Sequence, residues 1–230
     1  MNKLSSIGLA VSLAFAFSSH ASAAIVSANA TISGAGCTGP SVSQAVPGSV
    51  GTAATNNDCT VNVFGESKYA ALTSTIQNDP VNLTLGSGIS TASGSSLASG
   101  TLVSSYLINF QPSSLLGRTA IGSVTFSEQI LAVVYSNLGF NTSNYGFTNT
   151  SYLQGTPTYT YGQIFGLETA LADSFTISGN TLSFTMYSTS LLGGDNLRVI
   201  TAVPAPASIA LLSVGAVGLL AAARRKKSQD

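Results

Sequence analysis

Apolar and polar residues alternate with a period of two along much of the central part of the chain. Residues 81–85, which read VNLTL, place three apolar side chains on one face of an extended segment. This alternation is typical of a half-buried strand. Further β-rich runs cover residues 101–110, 120–126, 130–135 and 197–201. The pattern therefore predicts many short strands separated by turns.

The most specific local signal predicts a hairpin over residues 174–186. The segment reads SFTIS, then Gly179-Asn180, then TLSFTM. A two-residue Gly-Asn turn between two alternating runs predicts a tight antiparallel pair of strands. The register of this pair places four apolar side chains on one buried face: Phe175, Ile177, Leu182 and Phe184.

Helical signals are weak in the central part of the chain. Residues 66–77 have the composition of a short helix, although Thr73 and Thr75 weaken that prediction. Many short strands without alternating helices favour an all-β fold, and we expect an antiparallel β-sandwich or jelly-roll ectodomain over residues 24–202.

The start of the chain has the features of a secretory signal peptide. Lys3 gives a positive first region, residues 7–17 are apolar, and small residues at Ala21 and Ala23 precede Ala24. We therefore expect residues 1–23 to be removed and the mature chain to begin at Ala24. An uncut signal anchor is the alternative.

The end of the chain combines three features in a fixed order. They are the tetrapeptide Val203-Pro204-Ala205-Pro206, a predicted helix over residues 207–223 with the apolar run 209–223, and the basic cluster Arg224, Arg225, Lys226 and Lys227. The seventeen residues 207–223 make a helix of about 25 Å, which barely spans a hydrocarbon core of about 30 Å. The sequence predicts a short transmembrane helix with its basic end in the cytoplasm and the preceding residues outside.

This arrangement resembles the PEP-CTERM sorting signal of exported Gram-negative proteins. The resemblance covers residues 203–227 and departs from the family at Ala205, where an acidic residue is usual, so the motif is a Pro-Ala-Pro variant. It implies recognition by an exosortase, a membrane-embedded Cys transpeptidase-like enzyme, and a transient inner-membrane stage before the protein reaches the cell surface or the extracellular matrix. An ordinary C-terminal tail anchor is the alternative.

A second resemblance concerns residues 122–201. Their GSVTF strand, the DSFTISGNTLSF hairpin and the GDNLRVIT strand are similar to the ectodomains of many PEP-CTERM surface proteins. That resemblance implies a β-sandwich-like module and carries no catalytic residue over.

The predicted ectodomain is acidic and sparsely charged. Three cations, Lys68, Arg118 and Arg198, stand against seven carboxylates, which gives a net charge of −4. A chain without a basic face is not expected to bind nucleic acid. Solubility then depends on Ser, Thr, Asn and Gln side chains, which also suit hydrogen bonding with an exopolysaccharide.

The cysteine and histidine contents limit the chemistry. Cys37 and Cys59 are the only cysteines, and in an oxidising compartment we expect them to form a disulfide worth about 3 kcal/mol. The only histidine, His20, would leave with the signal peptide. We therefore predict no metal site, no cofactor and no histidine-based catalysis.

Residues 137–166 are rich in aromatic side chains among Asn, Thr, Ser and Gly. Exposed tyrosines in this segment would form a candidate ligand surface: Tyr145, Tyr152, Tyr159 and Tyr161. The alternative is that these rings close the end of the sandwich over its core.

Two classes of function follow. The first is a non-enzymatic surface or matrix protein, sorted by an exosortase-type system and associated with exopolysaccharide or biofilm. The second is a secreted glycan-binding or glycan-active module that uses Glu168, Asp173 or Asp195 together with the aromatic segment. An open pair of carboxylates would favour the second class, and dispersed carboxylates with a flat surface would favour the first.

Overall fold

A computed structural model of the 230-residue chain describes residues 24–34, 36–37, 41–44, 49–50, 57–77, 79–82, 87–92, 94–135, 160–161, 167, 173–189 and 194–203. All of them belong to one compact unit, Ser22–Pro204. The strands are β1 (Ile25–Ser33), β2 (Val42–Ser43), β3 (Ser49–Val50), β4 (Val61–Ala71), β5 (Asp79–Asn82), β6 (Ser87–Thr91), β7 (Leu102–Phe110), β8 (Arg118–Phe126), β9 (Ile130–Val134), β10 (Thr160–Tyr161), β11 (Ser174–Ser178), β12 (Thr181–Ser188) and β13 (Asp195–Ala202).

The described residues contain strands and no helix, so the all-β prediction is confirmed for them. The short helix predicted over residues 66–77 is wrong. Residues 66–71 continue β4, and Ile76 then forms an isolated bridge with Leu97. Pairing with β7 outweighs the weak helical propensity of this segment, at the cost of two register shifts and a positive φ of 55° at Tyr69.

Two larger sheets and one small one account for all of these strands. A four-stranded antiparallel sheet has the order β1-β8-β12-β11, and a seven-stranded sheet has the order β2-β4-β7-β13-β9-β6-β5. The seven-stranded sheet is antiparallel except where β2 pairs with β4. Strands β3 and β10 form a separate parallel pair.

The main hydrophobic core contains inward-facing residues of both large sheets. Val124, Leu182 and Met186 come from the four-stranded sheet, and all three are buried. The Tyr106 ring of β7 lies against the Phe126 ring of β8, with 4.8 Å between the ring centroids. Each fully buried aliphatic side chain stabilises the fold by roughly 1.5–3 kcal/mol, so this shared core joins the two sheets.

The predicted hairpin is confirmed in its turn and its register. Phe175 pairs with Phe184 and Ile177 pairs with Leu182. Gly179 has a φ of 61° at the first central position of the turn, where a type II′ turn requires glycine. Leu182 and Phe184 are buried as expected, whereas Phe175 and Ile177 are only half-buried because β11 lies at the sheet edge.

One glycine of β8, Gly122, allows close contacts with both neighbouring strands, β1 and β12. A Cβ atom at Gly122 would overlap the backbone oxygen of Asn29 and would lie 2.7 Å from Cζ of Phe184. The Phe184 ring therefore occupies space that only glycine leaves free.

We predict that Gly122→Ala lowers the free energy of unfolding by about 1–3 kcal/mol, because the Asn29 backbone cannot move away without disturbing the β1–β8 ladder. Urea titration monitored by circular dichroism measures the change. Gly36→Ala is the matched control, since no atom lies within 4 Å of a Cβ built there. Equal unfolding midpoints for the two variants would contradict this account of the sheet.

Candidate functional site

Most of the sorting features predicted from sequence lie outside the described residues. This applies to residues 1–23 with Ala21 and Ala23, to Pro204, Ala205 and Pro206, to the predicted transmembrane helix 207–223 and to the basic cluster 224–227. Ala24 is described and precedes β1, and Val203 is described and follows β13. Among the described residues, no helix has the length and hydrophobicity needed to cross a membrane.

The aromatic ligand surface also falls largely outside the described residues. Tyr145, Tyr152 and Tyr159 are not described, and Tyr161 ends the two-residue strand β10. The candidate carboxylate Glu168 is not described either. The aromatic surface therefore stays a sequence prediction.

The predicted disulfide between Cys37 and Cys59 is present, with the two Cα atoms 5.3 Å apart. It ties the segment that follows β1 to the residues just before β4. Asp58, the neighbour of Cys59, accepts hydrogen bonds from the backbone N–H groups of Ser113 and Ser114 at 2.7 and 2.9 Å. The disulfide and this carboxylate together fix the loop between β7 and β8 against the start of β4.

The ionisation of Asp58 reflects this role. Partial burial alone would raise the pKa of its carboxyl group, but the hydrogen bonds donated by Ser114 and Ser113, with a contribution from Arg118, outweigh it and hold the pKa below its usual value. Arg118 lies 3.8 Å from the carboxylate. Asp58 is therefore an anionic cap of a loop, and its geometry does not indicate an acid or base.

A buried ion pair joins two strands of the seven-stranded sheet that are not neighbours. Arg198 of β13 donates from Nε and Nη2 to the two carboxylate oxygens of Glu66 of β4, at 2.7 and 2.9 Å. Ser105, on the intervening strand β7, donates to the same carboxylate at 2.7 Å. The side chains of Arg198 and Glu66 are both 0% exposed. Glu66 is thus paired within the sheet and is closed to solvent.

This pair was not predicted from the sequence, although the sequence contains a signal for it. Arg198 is the only cation in the apolar strand LRVI, and Glu66 lies in a run that also follows apolar residues. A cation in a strand expected to be buried requires a buried carboxylate as its partner.

A row of amides crosses the same three strands. Asn109 Nδ2 of β7 donates to Asn196 Oδ1 of β13 at 2.8 Å, and Asn62 Nδ2 of β4 donates to Asn109 Oδ1 at 3.4 Å. Asn196 in turn donates to the backbone oxygen of Gly194 at 2.6 Å. These bonds satisfy polar groups inside the sheet, where unpaired ones would be costly.

The two described carboxylates among the candidate catalytic residues are buried. Asp173 accepts a hydrogen bond from the backbone N–H of Tyr187 at 2.6 Å. Asp195 begins β13 and is 1% exposed. Both residues are therefore within the fold and do not project from its surface.

The solvent-facing side of the four-stranded sheet offers a different kind of surface. Its residues are almost all small alcohols or amides, and we refer to them as the hydroxyl face: Ser27, Asn29, Thr31 and Ser33 of β1, Thr119, Ile121, Ser123 and Thr125 of β8, Thr181, Ser183, Thr185 and Tyr187 of β12, and Ser174, Thr176 and Ser178 of β11. None of these residues carries a charge at neutral pH. Ile121 is the one large aliphatic side chain among them and is 58% exposed.

Strand register arranges the hydroxyl face in rows. One row runs across all four strands through Asn29, Ser123, Ser183 and Thr176. Neighbouring strands in a sheet are about 4.8 Å apart, and residues on one face repeat about every 6.8 Å along a strand. Asn29 Nδ2 donates to Ser123 Oγ at 3.0 Å, and Thr125 and Thr181 share a hydroxyl hydrogen bond of 3.0 Å. The hydroxyl groups therefore form a regular two-dimensional array.

A shallow depression of about 460 Å³ lies on this array. Its wall combines polar residues with apolar ones: Asn29, Thr31, Ser123, Ser183 and Thr185 with Ile121, Phe175 and Phe184. Each hydroxyl group can donate one hydrogen bond and accept two, so the depression suits a neutral ligand that carries many hydroxyl groups of its own. The alternation in the sequence identifies these residues as polar strand positions, but it does not show that four strands bring them together.

Comparison of the chain with protein-family models, with curated proteins and with solved structures found no match.

We predict that Arg198→Met lowers the free energy of unfolding by about 3–5 kcal/mol, because Glu66 would then be buried without its cation. The double variant Glu66→Met with Arg198→Met should recover much of this loss, since no uncompensated charge remains. Urea unfolding of the wild type, both single variants and the double variant completes the cycle. A double variant as unstable as the sum of the single variants would contradict this interpretation of the pair.

Proposed function

We propose that this chain is a non-enzymatic exported protein of the cell surface or extracellular matrix, and that it associates with neutral exopolysaccharide. The observation that supports this most directly is the hydroxyl face. A wide, uncharged array of alcohols and amides matches a polymer that is itself uncharged and rich in hydroxyl groups.

Physical chemistry favours a neutral polysaccharide over other large ligands. The hydroxyl face has no cations to pair with phosphate or carboxylate groups. A single hydrogen bond of this kind contributes only about 0.5–1.5 kcal/mol. Useful affinity therefore requires many hydroxyl groups in one ligand, as a polysaccharide provides.

The two termini support export and sorting. Under this proposal residues 1–23 direct secretion, the β-sandwich ectodomain faces outward, and residues 207–223 hold the chain in the inner membrane as a transmembrane helix until an exosortase acts. Pro204 and Pro206 favour an extended segment beside the membrane, because proline lacks the N–H that a helix needs and biases the preceding residue away from helical angles. Such a segment suits cleavage by a membrane enzyme.

A glycan-active enzyme is less well supported by the described residues. Glu66, Asp173 and Asp195 are buried, and Asp58 caps a loop. Glycoside hydrolysis needs two carboxyl groups that both reach the sugar, about 5–10 Å apart. Glycan binding without catalysis, by contrast, is already part of the proposed function, and the hydroxyl face is its binding surface.

We predict that Ser183→Arg reduces binding to neutral polysaccharide at least tenfold, or about 1.4 kcal/mol, because a long cation would then stand in the central row of the hydroxyl face. Gln129→Arg adds the same charge at an exposed loop position between β8 and β9 and should bind like the wild type. Co-sedimentation of the exported chain with the exopolysaccharide of the producing cells, and with cellulose as a neutral reference, measures the effect. Unchanged binding by Ser183→Arg would exclude the hydroxyl face as the binding surface.

We predict that the surface form of the protein begins at Ala24 and lacks the residues beyond about Pro206 when a matching exosortase is present. Mass spectrometry of the terminal peptides of surface protein, from wild-type cells and from cells without the exosortase, measures both ends. Detection of residues 207–230 on the surface protein of wild-type cells would identify the tail as a simple anchor.

A further inference from the structure

The four outer edges of the two large sheets are not equally protected against pairing with another strand. Strand β5 carries Asp79 and Pro80, and β2 is only two residues long. Strand β1 has a register shift between Ile25 and Ser27. Charges, prolines, short strands and bulges are the usual devices that prevent edge-to-edge pairing. Strand β11 has none of them.

The open edge of β11 is regular and uncharged. Its five residues, SFTIS, pair with β12 without a register shift, and the part of the chain that the structure describes holds no strand on its other side. Ser174, Thr176 and Ser178 are exposed, while Phe175 and Ile177 are half-buried. The edge thus combines exposed backbone with partly covered apolar side chains.

The hairpin determines which backbone groups point outward from β11. In a hairpin with a two-residue turn, the pair that closes the turn is hydrogen-bonded, and this pair is Ser178 and Thr181. Hydrogen-bonded pairs alternate along an antiparallel ladder, so Thr176 also bonds to β12. The N–H and C=O groups of Phe175 and Ile177 therefore point away from the sheet.

We infer that β11 pairs antiparallel with β11 of a second copy of this chain, about a two-fold axis at Thr176. The sequence SFTIS reads the same in both directions by residue class, so this axis sets Phe175 opposite Ile177 of the second copy and Ser174 opposite Ser178. The outward backbone groups of Phe175 and Ile177 then meet as hydrogen-bonded pairs. The apolar residues cover one another on the core side, and no charge opposes the contact.

This pairing has a consequence for the hydroxyl face. The row that ends at Thr176 continues through the axis into the same row of the second copy, so the two faces become one surface. Two linked faces on one polymer bind more tightly than either alone, through their effective concentration. The pairing itself, however, does not depend on which ligand the hydroxyl face binds.

A cysteine at the axis tests the pairing in the exported chain. Opposite residues in a pair that is not hydrogen-bonded have Cα atoms about 4.5 Å apart, within the range of a disulfide. Thr176→Cys should therefore give a band of twice the chain mass on non-reducing gels, and reduction should remove it. Thr31→Cys, on the opposite edge strand β1, should stay monomeric. A monomeric Thr176→Cys chain, or equal cross-linking of both variants, would overturn the proposal.

Charge substitution gives a second test that needs no disulfide. Thr176→Lys and Thr176→Glu should each be monomeric in sedimentation analysis, because two like charges would meet at the axis, and an equal mixture of the two should restore dimers. Thr31→Lys should dimerise like the wild type. A mixture that stays monomeric, or a loss of assembly caused by Thr31→Lys, would refute pairing of β11 with itself. Ser183→Arg should still dimerise, so failure of polysaccharide binding and failure of pairing are separate results.

Discussion

The buried pair of Arg198 and Glu66 is the interaction around which the seven-stranded sheet is organised. Strand β13 is buried along nearly its whole length, so its cation is separated from water on both sides of the sheet. A charge in that position is tolerated only with a bidentate partner and further hydrogen bonds. Glu66 and Ser105 meet this requirement only if β4, β7 and β13 lie in one order and one register. The row of asparagines repeats the same constraint two residues away along β13 and four residues away along β4 and β7.

The two large sheets therefore differ in burial and in the polar groups they contain. The seven-stranded sheet is buried on both sides around its centre and contains the buried ion pair and the row of asparagines. The four-stranded sheet has one apolar side on the shared core and one side in water, as antiparallel sheets commonly do. The side chains on its solvent side do not contribute to the hydrophobic core and serve mainly solubility. A regular array of hydroxyl groups can therefore form there without loss of core packing.

The disulfide between Cys37 and Cys59 connects these two parts of the fold. It holds the chain that leaves β1, in the four-stranded sheet, against the start of β4, in the seven-stranded sheet. Cross-linking stabilises chiefly by restricting the unfolded chain. A protein with few charges and abundant Gly, Ser and Thr depends on such a restraint because those residues contribute little apolar surface to a core.

The amino-acid sequence by itself determined the local features. Alternation and turn chemistry act over a few residues, and they predict the hairpin at Gly179-Asn180 and the strands around residues 101–135. The chain has two cysteines, so composition leaves one possible intramolecular disulfide. Tertiary structure alone decided the rest. Segment 66–71 is a strand because its backbone pairs with β7. Arg198 pairs with Glu66, which is 132 positions away in the chain. Strand β1 pairs with β8 and so completes the hydroxyl face. Such contacts join residues far apart in sequence, and their free energy depends on the whole fold rather than on any local pattern.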